Sequence, residues 1–139
     1  MKLIVLAVGK TDPAWNELVE DFLTRISYFC KTELVLTTDE KLEAQCEKYT
    51  RFFLLDEHGV EYTSKNFAIF MQKQMNSGVQ SVALVLGGAY GFSQSLKEKA
   101  HGLISLSQLT FPHQLARLVL LEQVYRGFTI LNNKKYHHE

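Results

Sequence analysis

The sequence has few of the residues that cross-link small proteins. Its two cysteines, Cys30 and Cys46, do not form a CxxC pair, so we expect reduced thiols and no zinc site. No group of histidine, cysteine and carboxylate residues has metal-ligand spacing, and no metal is expected. A chain of 139 residues with 46% hydrophobic residues can bury a core without such links. We expect one domain over residues 1–139.

Long apolar runs and an excess of charge are also missing. No hydrophobic stretch approaches the roughly 18 residues that span a bilayer. The apolar start, Lys2–Val8, leads straight into Gly9 and Lys10 without the features of a signal peptide, so we expect a cytoplasmic protein with no membrane segment. With 15 basic and 15 acidic residues the net charge is zero. That balance argues against a protein that coats nucleic acid and leaves a local RNA-binding patch open.

Several common active-site signatures are absent. The sequence contains neither GxGxxG nor GxxxxGK[ST], so a dinucleotide-binding fold and a P-loop are not supported. Ser107 and His113 are close in sequence but lack the pattern of a nucleophile elbow, which argues against covalent hydrolase chemistry.

Short apolar runs alternate with amphipathic segments along the chain. Strands are predicted at Lys2–Val8, residues 32–36, 51–56 and 103–106, and Ser81–Leu86. Helices are predicted at residues 13–29 after an Asp12 cap, 41–48, from a Ser64 cap to Gly78, 95–100, and His113–Leu131. This alternation predicts an α/β fold with a mostly parallel sheet sandwiched by helices.

Two loops that follow predicted strands are candidate ligand sites. Residues 86–92 (LGGAYGF) contain glycines that let the backbone approach a ligand at the carboxyl end of a strand, although a tight turn would explain them equally well. Residues 106–112 (LSQLTFP) have no titratable side chain and would offer main-chain groups and an apolar wall to a flat ligand. An ordinary connection into the next helix is the simpler interpretation of that second loop.

The last predicted helix is apolar on nearly all sides, which predicts burial on nearly all sides. Leu115 and Val119 lie opposite the main apolar face, beside Glu122 and Arg126. A two-fold related copy would cover that side, while a central helix buried within one monomer is the alternative. Glu122 and Arg126 are four residues apart and are expected to pair.

The tail, residues 132–139, concentrates two lysines, Tyr136, His137 and His138. Lysines contact phosphates, and tyrosine and histidine stack on bases. A frayed, solvated terminus is the alternative.

Four segments together carry a resemblance to a known family. TFPHQ at 110–114, Arg117, EQVYR at 122–126 and Tyr136-His137 resemble the C-terminal signature of the large-subunit ribosomal RNA pseudouridine N3-methyltransferases, which belong to the SPOUT class. LAVGK at 6–10 resembles their first strand, and Leu55-Asp56 and Gly87-Gly88 fall where that family has its two upstream cofactor loops. The resemblance covers nearly the whole chain, and the combination of motifs is specific although each motif alone is weak.

The resemblance implies a fold, a cofactor and a substrate. Such enzymes have a C-terminal trefoil knot, bind S-adenosylmethionine within it, form homodimers, and methylate N3 of a pseudouridine in 23S ribosomal RNA of assembled ribosomes. Carried over by position, the cofactor-binding residues would be Leu55, Gly87, Gly88, Ser107, Gln108, Leu109, Thr110, Phe111 and Pro112. The catalytic residues would be Arg126, Tyr136 and His137, facing the substrate across the dimer interface.

We expect His137 to help remove the N3 proton or to stabilise charge on the adjacent carbonyl oxygens. Arg126 would support the same charge or anchor a phosphate. The chain departs from the family pattern at Ala89-Tyr90 within the glycine loop, and at His138, where the family tends to have Arg or Lys. The rival interpretations are a knotted methyltransferase acting on transfer RNA, a non-catalytic ribosome-binding dimer, and a flavodoxin-like nucleotide binder. No strand here ends in the Ser/Thr-rich phosphate loop that the third would need.

Overall fold

Five strands alternate with five helices in a computed structural model that describes residues 1–138. The strands are β1 (Lys2–Val8), β2 (Thr32–Thr37), β3 (Arg51–Glu61), β4 (Ser81–Leu86) and β5 (Gly102–Ser105). The helices are α1 (Asn16–Ser27), α2 (Leu42–Cys46), α3 (Ser64–Asn76), α4 (Gln94–Lys99) and α5 (His113–Leu131). A 3₁₀ turn, Pro13–Trp15, precedes α1. The predicted alternation of elements is therefore confirmed.

The strands form a single sheet in the order β2-β1-β4-β3-β5, and every strand pair is parallel. The predicted fold class, an α/β protein with a mostly parallel sheet, is confirmed. Because parallel strands share one carboxyl edge, the loops that follow β1, β3, β4 and β5 meet there. The trefoil knot that the resemblance implies stays a prediction.

Both faces of the sheet are covered by helices. In β1, Leu3, Val5 and Ala7 belong to a core with side chains of α1, α3 and α5. Ile4 and Leu6 belong to a second core on the opposite face, with side chains of α2 and α4. Burial on both faces explains why β1 is a continuous apolar run instead of an alternating one.

The sequence predicted that the third strand ends at Asp56, but β3 continues to Glu61. Leu55 and Val60 both pair with Ile104 of β5, so the residues between them bulge out of the ladder. At the end of the bulge, a Cβ on Gly59 would lie 2.5 Å from the amide nitrogen of Ile104. Only glycine lets the strand rejoin β5 at this distance, and this long-range contact left no local pattern in the sequence.

Most of the predicted helix boundaries are confirmed. Asp12 caps the 3₁₀ turn by accepting a hydrogen bond from the amide of Ala14 at 2.9 Å. Gly78 follows α3 with φ of +79°, as expected of a residue just beyond a helix. The predicted N-cap of α3 is wrong by one residue, because Thr63 accepts the hydrogen bond from Asn66. Ser64 instead donates to Gln123 of α5 over 2.7 Å.

Helix α5 packs against both α1 and α3. Its side chains Leu120, Leu121, Val124 and Phe128 are buried in the core, while Leu115 and Val119 on the other side remain partly exposed. The predicted broad apolar face is confirmed, and the remaining side is only partly covered by this chain. Of the helices within residues 1–138, none is both long enough and apolar enough to cross a bilayer.

Candidate active site

A cleft of about 520 Å³ opens at the carboxyl edge of the sheet. Its walls are the loops that follow β3, β4 and β5 together with the first turns of α5. Among the predicted cofactor residues, the cleft is lined by Leu55, Gly87, Gly88, Ser107, Leu109, Thr110 and Phe111. Gln108 and Pro112 do not line it and are exposed. The cleft is within the size range of small-molecule sites, about 300–1,000 Å³.

The glycine loop after β4 brings its main chain to the cleft wall. The amide of Gly91 donates to the carbonyl of Gly88 over 3.1 Å, which closes a tight turn with Gly91 at φ of +68°. A Cβ on Gly88 would lie 2.9 Å from a carboxylate oxygen of Asp39 and 3.0 Å from Cγ1 of Val8. A Cβ at Gly88 would therefore crowd the cleft wall, although the exposed Asp39 side chain can move aside. The tight turn that the sequence left open is confirmed, and approach of a ligand to this loop stays a prediction.

The turn of the glycine loop displays Tyr90, whose side chain is 93% exposed at the rim of the cleft. The loop after β5 supplies Leu109, 74% exposed, to the same cleft. This second loop is shaped by its own serines: Ser105 donates to the carbonyl of Ser107 over 3.1 Å, and the hydroxyl of Ser107 accepts from the amide of Leu109 over 2.9 Å. Such serine turns also occur in ordinary connections, so the role of this loop as a ligand site stays a prediction.

The bulge of β3 supplies a charged wall, of which the resemblance indicated only the position of Asp56 at a cofactor loop. The carboxylate of Asp56 accepts a hydrogen bond from the amide of His58 at 2.8 Å and lies 3.7 Å from the ammonium of Lys97. Asp56, Glu57, His58 and Lys97 all line the cleft. No local pattern marks this wall, because the predicted strand end left these residues in an ordinary turn.

The opposite wall is held by the first turns of α5. The carbonyl of Lys10, in the loop after β1, accepts hydrogen bonds from Gln114 at 3.0 Å and from Arg117 at 3.0 Å. Arg117 also donates to the carbonyl of Val8 at 2.7 Å. Burial lowers the pKa of the Arg117 guanidinium below its ordinary value. These contacts attach the loop after β1 to α5 at the base of the cleft.

Residues 132–138 of the tail fold back on the far end of α5, so this part of the tail is not frayed. The ring of Tyr136 contacts Tyr125 edge-on, with centroids 4.7 Å apart, and the guanidinium of Arg126 lies 4.9 Å from the Tyr136 centroid. Arg126 also contacts Nδ1 of His137 at 3.0 Å. The three predicted catalytic residues are thus brought together.

Glu122 fixes the guanidinium at the centre of this group. It accepts a hydrogen bond from Nε of Arg126 at 2.7 Å, which confirms the predicted pairing. The hydrogen bond from Arg126 to Glu122 raises the pKa of Arg126, and burial raises the pKa of the Tyr136 hydroxyl. Arg126 is therefore a permanent cation and Tyr136 a neutral phenol near neutral pH.

The cleft and the tail lie at opposite ends of α5. His113 at the start of the helix lines the cleft, and Arg126 follows it by 13 positions, which at 1.5 Å per residue is about 20 Å. Within one chain, the predicted catalytic residues therefore do not reach the predicted cofactor residues.

Comparisons with known proteins identify the family of this chain. A family model described as "Predicted SPOUT methyltransferase" matches residues 1–137. The chain belongs to the SPOUT methyltransferase family. It is 38% identical to Ribosomal RNA large subunit methyltransferase H of Flavobacterium johnsoniae, covering 100% of both chains. It is 42% identical to the protein of the same name from Geotalea daltonii, covering 99% of this chain and 100% of that one.

Two solved structures have a fold similar to that of this chain. A probable methyltransferase from Bordetella pertussis has a TM-score of 0.57 at 15% identity, over 89% of this chain and 92% of that one. A probable methylase family protein from Haemophilus influenzae has a TM-score of 0.56 at 12% identity, over 99% and 70% of the two chains. At these identities the likeness concerns the fold alone.

The cleft of this SPOUT methyltransferase offers a ligand several kinds of group. They are the main-chain groups of two loops, an apolar wall, an acidic wall from β3, and the buried cation Arg117. Across residues 1–138, no three His, Cys, Asp or Glu side chains come together in a way that would hold a metal ion. Sequence reasoning identified the two loops, and the resemblance included Asp56 and Arg117, but neither predicted that these two residues form charged walls of one cleft.

Proposed function

We propose that this chain methylates N3 of a pseudouridine in 23S ribosomal RNA of the assembled ribosome, using S-adenosylmethionine and acting as a cytoplasmic homodimer. Two observations support this. The chain is similar over its full length to proteins named as methyltransferases of the large ribosomal subunit RNA. It also has a cleft of suitable size at the carboxyl edge of its sheet, and this cleft is the observation on which the proposal depends.

The residues that line the cleft fit the proposed cofactor. The glycine loop and the loop at residues 106–112 present peptide groups to an adenine edge, while Leu55, Leu109 and Phe111 provide an apolar surface for its ring. The space beside Gly88 is already filled by Asp39 and Val8, so a side chain at this position would disturb the wall. When bound, S-adenosylmethionine supplies an electrophilic methyl group.

The tail supplies the groups proposed to act on the base. Arg126 remains charged because Glu122 holds it, and its guanidinium orients the His137 ring at 3.0 Å. The N3 proton passes to solvent water, and negative charge then develops on the carbonyl oxygens beside N3. A nearby N–H donor and a cation stabilise that charge, and such preorganised donors are worth about 10²–10³ in turnover. Tyr136, held by Tyr125 and Arg126, would position the base.

A second copy of the chain is needed to complete such a site. The tail is about 20 Å along α5 from the cleft of the same chain. The partly exposed Leu115 and Val119 give α5 an apolar stripe suited to a two-fold related partner. We therefore propose that the tail of one subunit closes over the cleft of the other.

Recognition of the substrate then depends on shape. The chain has zero net charge, so electrostatic attraction to RNA in general is weak. The exposed Tyr90 and Leu109 at the cleft rim are suited to contacts with an unstacked base. A folded ribosomal surface would supply the rest of the selectivity.

The substrate is tested by following transfer of labelled methyl groups to whole ribosomes, free ribosomal RNA and transfer RNA. We expect label in whole ribosomes, at a single pseudouridine mapped by mass spectrometry. Label in transfer RNA alone would support the rival transfer RNA methyltransferase. A folded protein that gives no heat with S-adenosylmethionine in calorimetry would instead be a non-catalytic binding protein.

The shared site is tested by mixing two impaired variants at a donor concentration well below the one that saturates Gly88→Val. Gly88→Val damages the cleft and His137→Ala damages the tail. After the subunits are exchanged, each mixed dimer has one site in which neither change is present, so activity should recover to as much as a quarter of wild type in an equimolar mixture. If cleft and tail act within one chain, the mixture stays inactive. Light scattering on the wild type checks that it is a dimer.

A further inference from the structure

Arg117 is a buried cation with no counter-charge at the base of the cleft. Its side chain is 2% exposed, and it lines the cleft. Its two hydrogen-bond partners, the carbonyls of Val8 and Lys10, are neutral. Among residues 1–138, no carboxylate lies within ion-pair distance of it, and burial alone accounts for the lowering of its pKa.

Such a group is unfavourable unless something compensates its charge. A buried ion without a partner is costly, whereas an ion that gains an opposite charge within hydrogen-bond distance is stabilised. The two carbonyls satisfy two of the five N–H groups of the guanidinium. The other N–H groups of the guanidinium and its positive charge remain to attract an anion that enters the cleft.

The start of α5 adds a second preference for an anion at the same place. The helix has 19 residues, so the partial positive charge at its first turn is fully developed. Pro112 at the N-cap offers no side-chain acceptor, and the first turn contains no acidic residue. His113 and Ala116 from these turns line the cleft together with Arg117. The first turn of α5, which has no side-chain cap, and the buried guanidinium therefore face the same cleft.

The wall of the cleft that β3 forms carries acidic side chains. Asp56 and Glu57 from the bulge of β3 line the cleft together with Lys97. The Asp56 side chain is 14% exposed and lies 3.7 Å from the Lys97 ammonium, so on this wall the two carboxylates outnumber the one ammonium. A ligand with separated positive and negative groups would have one favoured orientation between these walls. The methyl donor of the proposed function is such a ligand, because it carries a sulfonium, an ammonium and a carboxylate.

We infer that Arg117 and the first turn of α5 bind the carboxylate of the methyl donor's amino-acid part. This inference rests on the proposed function and adds to it a residue that fixes how the donor lies in the cleft. A phosphate of the RNA is the other anion available to this enzyme. The depth of Arg117 favours the small ligand, since a phosphate on an RNA backbone has to reach an almost fully buried group.

The test compares two donors that differ only in the carboxylate. Binding of S-adenosylmethionine and of decarboxylated S-adenosylmethionine to the full-length protein is measured by calorimetry. We expect the wild type to bind the carboxylate-bearing ligand at least about tenfold more tightly, the range of a charge-assisted hydrogen bond. In Arg117→Met this preference should disappear, with the two affinities converging. Arg117→Lys, which keeps the charge, should retain part of the preference.

The control is Arg51→Met. Arg51 is a partly buried arginine that donates to a neutral partner, Gln74, at 3.0 Å, and it lies at the start of β3, the edge of the sheet away from the cleft. Its exchange should leave the preference for the carboxylate intact. This separates loss of an anion site from the general effect of removing an arginine.

Each remaining outcome decides between the hypotheses. Equal affinity of the wild type for both ligands would overturn this inference alone, whether or not any variant folds. If Arg117→Met lowers both affinities equally, Arg117 only supports the loop after β1 and does not bind the carboxylate. If Arg117→Met keeps the preference for the carboxylate but binds a ribosomal RNA fragment more weakly, Arg117 binds a phosphate of the RNA. If the wild type binds neither ligand, the cleft is not a donor site, and the proposed function is wrong as well.

Discussion

Nη1 of Arg126 lies 3.0 Å from Nδ1 of His137, and because a guanidinium can only donate, Nδ1 is the acceptor. The ring proton of a neutral His137 is therefore on Nε2. In this tautomer Nε2 donates a hydrogen bond and has no lone pair with which to take a proton. Of the two roles that the sequence left open for His137, the geometry favours stabilisation of charge on a carbonyl oxygen over removal of the N3 proton.

This tautomer predicts how substitutions of His137 behave. His137→Ala should lower kcat by about 10²–10³ and leave the affinity for S-adenosylmethionine nearly unchanged. His137→Gln, which keeps an N–H donor near the position of Nε2, should recover a substantial part of the lost turnover. Single-turnover kinetics and calorimetry measure the two effects. If Gln is as inactive as Ala while both variants fold, His137 acts as a base.

Substitution of Gly88 should separate binding from stability. In Gly88→Val, the Cβ meets Asp39 and Val8 at 2.9 Å and 3.0 Å, so the cleft wall shifts and donor affinity should fall at least about tenfold, equivalent to roughly 1.4 kcal/mol. The melting temperature should change little because Asp39 is an exposed side chain that can move.

The matched control for Gly88 is Gly78→Ala. Gly78 has φ of +79°, and a Cβ added to it would have no neighbouring atom within 4 Å, so alanine there is strained but remote from the cleft. We expect it to lower the free energy of unfolding by about 1 kcal/mol without any loss of donor binding. Full donor affinity in a folded Gly88→Val protein would refute the role given to the glycine loop.

Gly59 should be essential for the return of β3 to β5. A Cβ there would lie 2.5 Å from the amide nitrogen of Ile104 and 2.6 Å from the carbonyl oxygen of Leu103, and these backbone atoms cannot move aside independently. Gly59→Ala should lower the free energy of unfolding by about 2–3 kcal/mol. Gly102→Ala, whose Cβ would meet only the Phe53 ring at 3.2 Å, should lose less in the same urea titration. Equal losses would mean that the bulge is not constrained by the backbone contact.

The two thiols should differ from ordinary cysteines in reactivity. Burial, reinforced by Glu43 and Glu47, raises the pKa of Cys46 to about 12, and burial also raises that of Cys30. Because the thiolate is the reactive form, Cys46 should resist iodoacetamide at pH 8 in the folded protein and react after unfolding. Rapid native labelling of Cys46, identified by peptide mass, would show that α2 opens readily.

The same shift gives a direction for stability with pH. Below pH 9 the Cys46 thiol is neutral in both the folded and the unfolded chain. Above pH 9 the unfolded thiol ionises while the folded one, with its pKa of about 12, does not. The unfolded state then releases a proton that the folded state keeps, so this thiol's contribution to stability decreases as pH rises from 9 towards 12.

Local patterns in the sequence were sufficient to predict the elements of the fold. The apolar run of β1, the Asp12-Pro13 start before α1 and the apolar periodicity of α5 are such patterns, and each element formed where its pattern predicted. The two loops at the strand ends were identifiable for the same reason, since glycine and strand length are local signals. The family motifs group Arg126, Tyr136 and His137 by sequence alone, and the structure brings these three side chains into contact.

The residues that face one another across the sheet could be found only in the folded chain. The bulge of β3 depends on pairing with β5, some forty residues later in the chain, and it is this pairing that turns Asp56 into a cleft wall. The burial of Arg117 depends on the carbonyls of Val8, at the end of β1, and of Lys10, in the loop after it, both more than a hundred positions away. Local propensity contains no information about such partners, because strand order and the packing of α5 across the sheet set them.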